Sequence, residues 1–117
     1  MANNLALLDS AFHALADPTR RAVISRLRSG PASVGELARP FAIGLPTFMK
    51  HLRVLEDSGL IASGKTGRVR TCRLEPARLA DAEAWLAEQR AVWEGRAERL
   101  SHYVENHLHG SSDDDER

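Results

Sequence analysis

The chain has 117 residues, 43% of them apolar and 27% charged, with a single cysteine. That is the composition of one small folded domain, and it excludes both a disordered chain and an internally disulfide-bonded scaffold. The formal net charge is zero, but the signs are segregated: residues 18–73 hold eleven Lys or Arg against three acids, and residues 74–117 hold five Arg against eleven acids.

Residues 1–4 are expected to be an unstructured start. From Leu5 to Leu15, the apolar residues Leu5, Leu8, Phe12 and Leu15 recur at spacings of 3, 4 and 3, which is one helical face. Asp17-Pro18 is an N-cap followed by a first-turn proline, and it starts a second helix over Thr19–Arg28 that Ser29-Gly30-Pro31 ends. Ser33-Val34-Gly35-Glu36 is a capping box for a short third helix, stopped by Pro40. After a turn at 41–44 a fourth helix covers Leu45–Asp57. Its core stripe is Phe48, Leu52 and Leu55, and Gly59 closes it. Leu60–Ser63 and Val69–Leu74 are strand-like around a glycine-containing link, which predicts a hairpin. Pro76 opens a long helix over Ala77–His107, with Leu79, Leu86, Trp93 and Leu100 every seven residues. Residues 109–117 read as a disordered acidic tail.

This order, mainly α with a small β-hairpin, predicts a winged helix-turn-helix domain over 5–108. The basic block attracts polyanions, most often nucleic acid. On a helical wheel, the fourth helix turns Met49, Lys50 and Arg53 away from its core stripe, with Thr47 at the flank. Arg and Lys can donate to guanine edges or phosphates, and a Met or Thr methyl can touch a thymine methyl. The hairpin adds Lys65, Arg68, Arg70 and Arg73, and no acid lies between Leu60 and Leu74. A basic ribbon beside such a helix can grip the DNA backbone.

At these residues the sequence resembles the ArsR family of bacterial winged-helix repressors. The resemblance is carried by 15–21 (Leu-Ala-Asp-Pro-Thr-Arg-Arg), by 34–38 (Val-Gly-Glu-Leu-Ala) and above all by 50–61 (Lys-His-Leu-Arg-Val-Leu-Glu-Asp-Ser-Gly-Leu-Ile). It implies a homodimeric repressor of a double-stranded DNA operator. It places DNA contacts at Thr47, Met49, Lys50, His51, Arg53, Lys65, Arg68 and Arg70. It also implies dimerisation through helices at 5–16 and 77–107, using Leu5, Leu8, Phe12, Leu86, Trp93, Leu100 and Tyr103. Arg20 and Arg21 are candidates for flanking phosphates or surface ion pairs.

The chain also departs from the family. The family's thiol metal site in Glu-Leu-Cys-x-Cys is absent, because 36–40 here is Glu-Leu-Ala-Arg-Pro. A second family site uses Asp and His on the last helix, where this chain offers Asp81, Glu83, His102, Glu105, His107 and His109. The histidine expected near Asp81 is missing, so no cofactor is expected, and a regulatory metal on these His and acid residues is the alternative. Cys72 reads as inert packing. Residues 59–66 match the phosphate-loop pattern G-x-x-x-x-G-K-T. That chemistry needs a strand before the loop and a helix after it, and the order here is inverted. No catalytic constellation appears, so the chain is not expected to be an enzyme. No apolar run approaches the roughly 20 residues that span a bilayer, and Met1–Ala6 lacks the basic region of a signal peptide. A cytoplasmic location is expected, with no membrane partner. A protein-interaction module that does not bind DNA specifically is the other reading, against which the basic face argues.

Overall fold

The computed structural model describes the backbone of residues 3–116 and the side chains of 5–107. The stretches expected to be unstructured are instead helical in backbone at 3–4 and 109–116, and residues 1, 2 and 117 lie outside the described residues. The elements are α1 (Asn3–Leu15), α2 (Pro18–Leu27), β1 (Ala32–Ser33), α3 (Val34–Ala38), α4 (Leu45–Asp57), β2 (Ile61–Thr66), β3 (Val69–Leu74) and α5 (Pro76–Glu116). α1 thus begins before Leu5, and α5 continues past the predicted end at His107. Extending a helix costs far less than nucleating one, so composition places such ends poorly. The chain falls into two units, Met1–Ala82 and Glu83–Arg117, where the sequence pointed to one domain over 5–108.

In the first unit the local signals act as predicted. Asp17 caps α2, its carboxylate accepting from the Arg20 backbone N–H at 3.1 Å. Ser33 and Glu36 close a reciprocal capping box on α3. α4 ends in a Schellman turn: the Leu60 N–H donates to Leu55 O at 3.1 Å, and the Gly59 N–H to Glu56 O at 2.9 Å. Gly59 adopts φ +80°, and a Cβ there would meet Nε of Arg78 at 3.0 Å.

The sheet is antiparallel in the order β1-β3-β2. β1 pairs Ala32 with Cys72 and Ser33 with Thr71, so two residues with no periodicity of their own add a third strand. β2 runs through Gly64-Lys65-Thr66, so the strand extends into the stretch expected to be the link. Phe48, Leu52 and Leu55 of α4 bury against Val23 and Leu27 of α2, Leu37 of α3, and Leu60, Ile61 and Cys72 of the wing. Burying such a side chain stabilises by about 1.5–3 kcal/mol, and this core fixes which face of α4 is left to solvent.

The second unit is the rest of α5. Its apolar side chains are open: Trp93 is 68% exposed and Leu100 64%, and Leu86, Val92, Tyr103 and Val104 are exposed too.

Candidate nucleic-acid interface

α4 presents the face that its core stripe dictates. Thr47, Lys50 and Arg53 are exposed, while Met49 and His51 are half-buried. Pro46 stands in the first turn, where its missing N–H costs nothing, and Gly44 is the N-cap without a side-chain bond. His51 is turned toward α2: Nη1 of Arg20 lies 3.0 Å from its Nδ1. A guanidinium only donates, so Nδ1 accepts and the ring proton stands on Nε2.

Arg20 holds more than His51. Its Nε donates to Ala14 O at 2.7 Å and its Nη2 to His13 O at 3.3 Å, while Nη1 of Arg21 donates to Leu15 O at 2.9 Å. The two arginines therefore satisfy the C-terminal carbonyls of α1 and add positive charge at its negative end. These bonds occupy only part of each guanidinium, and Arg20 also acts by its charge on the Asp17 carboxylate. No local sequence signal announces the role, because both the carbonyls and His51 come from other helices.

The Asp17 carboxyl sits at the same junction. The Arg20 backbone N–H holds it below the ordinary 3.8, burial opposes this, and the nearby charge of Arg20 assists. A carboxyl lowered on folding contributes stability that is complete above its ordinary value and lost as the pH falls through the lowered one. Asp17→Ala is therefore expected to cost about 1 kcal/mol at neutral pH. In urea melts the gap to the parent chain should narrow as the pH is taken below 3.8. A gap that does not change with pH would contradict this.

The wing carries Lys65, Arg68, Arg70 and Arg73, all exposed. Gly67 makes the tip with φ +63°. The register sets Lys65 directly opposite Arg70, a like-charge pair that costs stability in the free protein. A polyanion offsets that cost. Arg73 pairs with Glu75 at 3.3 Å. Arg70 donates from Nη1 to Ser63 Oγ at 2.8 Å, and the Ser63 hydroxyl is hydrogen-bonded to the Glu56 carboxylate on α4. Neither Glu56 nor Ser63 stands out in the sequence; the only available signal is the acidic pair Glu56-Asp57 within the basic block. The phosphate-loop match falls at Gly59–Thr66, a helix end running into strand β2 with β3 after it, so no helix N-terminus faces it.

Beneath the wing, burial pushes the Cys72 thiol up, Glu56 assists and Arg70 opposes, and the side chain is buried. Of the residues expected at a dimer interface, Leu5 is exposed on α1, and Leu8 and Phe12 are half-buried. Leu86, Trp93, Leu100 and Tyr103 are exposed on the second unit. His107 stacks on Tyr103 with ring centres 3.9 Å apart, and its Nδ1 lies 2.8 Å from Tyr103 O. Among the described residues no three His, Cys, Asp or Glu gather to hold a metal ion. The His109 side chain lies outside the described residues. No helix among the described residues is long and apolar enough to cross a membrane.

Known proteins share this arrangement. A helix-turn-helix domain family model matches residues 15–63, from the end of α1 into β2. A solved ArsR family transcriptional regulator is 58% identical, with a TM-score of 0.73, over 76% of this chain and 92% of that one. The chain belongs to the ArsR family. The HTH-type transcriptional regulator Rv2034 of Mycobacterium tuberculosis is 44% identical over 72 residues, 62% of this chain and 67% of the relative. The transcriptional repressor SdpR of Bacillus subtilis is 29% identical over 79 residues, 68% of this chain and 88% of the relative. This ArsR-family member is a winged helix-turn-helix, DNA-binding transcriptional regulator.

Proposed function

We propose that the chain is a cytoplasmic homodimeric repressor that binds a two-fold-related operator, with one α4 in each of two successive major grooves and a wing on the flanking backbone. The observation that carries this is the outer face of α4. Thr47, Lys50 and Arg53 are open to solvent, the helix behind them is locked in the core, and a wing of four cations flanks it. Repression is supported by the likeness to SdpR, named a transcriptional repressor. Dimerisation is supported by the apolar side chains left open on α1 and on the second unit. The reading invokes no resident cofactor.

The test is a fluorescence-anisotropy titration against DNA from upstream of the protein's own gene and a scrambled control, at two salt concentrations. Tighter binding to the native DNA at both salts supports a specific regulator. Equal binding that salt erases leaves only a basic surface and favours an interaction module. Arg53→Ala is expected to cost about 1–3 kcal/mol on native DNA and to relax base preference. Lys65→Ala should weaken both DNAs alike and flatten the salt slope. Identical behaviour of the two variants would undo the division between base reading and backbone grip.

A further inference from the structure

Glu56 is out of place on two counts. The last turn of α4 holds no basic residue, so the Glu56 and Asp57 charges stand at the negative end of the helix dipole. Glu56 also stands beside a wing whose cations serve phosphate, where a carboxylate repels the ligand. The geometry shows what it does there. The Ser63 hydroxyl donates to Oε1 of Glu56, and Nη1 of Arg70 donates to Ser63 Oγ at 2.8 Å. The direction is forced, because a guanidinium only donates and a carboxylate only accepts. Ser63 pairs with Cys72 and Lys65 with Arg70, so Arg70 reaches diagonally down the ribbon toward α4. The three groups bridge a cleft of about 220 Å³ between helix and wing, lined also by Met49, Arg53 and Cys72.

Resting on the DNA-binding reading above, we infer that Glu56 is a positioning residue: it sets the wing at the spacing from α4 that specific DNA requires. An acid thereby raises affinity for a polyanion. Helix and wing must engage one duplex at the same moment. A wing free to swing surrenders that freedom on binding, whereas a wing tied through Ser63 and Arg70 has surrendered it on folding.

The test titrates the full chain and its Glu56→Ala, Glu56→Gln and Ser63→Ala variants against the upstream DNA and the scrambled control. Charge alone predicts that removing an acid tightens both DNAs equally. Positioning predicts that Glu56→Ala weakens native DNA about tenfold, the loss of one charge-assisted hydrogen bond, and leaves scrambled DNA no weaker. Ser63→Ala should do the same, and the double substitution should be no worse than either single one. Glu56→Gln, whose amide oxygen still accepts, should keep most of the native affinity. A readout without DNA is amide hydrogen exchange in the free protein, which should quicken at residues 64–70 in Glu56→Ala while α2 is unchanged. Equal tightening on both DNAs, or unchanged exchange in the wing, overturns the inference. If the parent chain itself fails to prefer native DNA, the DNA-binding reading falls, and the exchange measurement still decides whether Glu56 holds the wing.

Discussion

Replacing Phe48 by alanine is expected to remove about 3–5 kcal/mol of folding stability. The ring is 0% exposed and stacks on Phe41 with centres 5.5 Å apart. It lies in the first turn of α4, the helix proposed to serve core and DNA at once. Truncation strips its contacts with the other buried side chains and leaves a void that a close-packed interior fills only in part. A domain of this size holds about 5–15 kcal/mol in all, so the variant should sit near the edge of folding and lose its DNA affinity with its structure. Urea denaturation followed by far-ultraviolet circular dichroism measures the loss. Thr47→Ala, on the exposed side of the same helix, should stay within about 0.5 kcal/mol of the parent. A Phe48→Ala midpoint close to the parent's would show that α4 is not held from this side.

The second large effect is expected in the assembly. Trp93 and Leu100 stand 68% and 64% exposed, which is costly for side chains that each gain about 1.5–3 kcal/mol from burial. In the proposed dimer a second copy supplies that burial. Introducing Trp93→Asp and Leu100→Asp together places charges where a partner's apolar side chains would pack, and unpaired charges of that kind are strongly unfavourable. Sedimentation equilibrium should show the doubly substituted chain as a monomer with unchanged secondary structure. Its affinity for a two-fold site should fall by about a hundredfold or more, because the second half-site no longer meets an attached partner. A dimer that survives both substitutions would place the interface elsewhere.

Much of this was legible because it is written in short-range chemistry. Asp17-Pro18, the Ser33 and Glu36 box, and the Phe48, Leu52 and Leu55 stripe each depend on residues a turn apart, and each acts in the fold as its spacing implied. Even the exact limits of α4 could be read, since a proline near one end and a glycine in the left-handed region just past the other bound it. What escaped is whatever spans elements. Arg20 fastens α1 and His51 from a position in α2, and Glu56, Ser63 and Arg70 come from a helix and both wing strands. Such contacts exist only once the chain has folded. β1 escaped for the opposite reason: two residues are too few to show alternation. The phosphate-loop pattern misleads because its letters carry no chemistry without a strand before them and a helix after them.

The pairing of β1 has a mechanical consequence. Its two residues reach β3 only at Thr71 and Cys72, so the sheet is three strands wide midway along the ribbon and two at its tip. A two-stranded ribbon is weakly supported, whereas a third strand and a core beneath stiffen it. The wing is therefore a cantilever, clamped where it meets the body and tied to α4 through Arg70 and Ser63, and compliant only at the tip around Arg68. That short free tip can bend to duplexes of unequal groove width at small energetic cost, while the tie behind it keeps the spacing to α4.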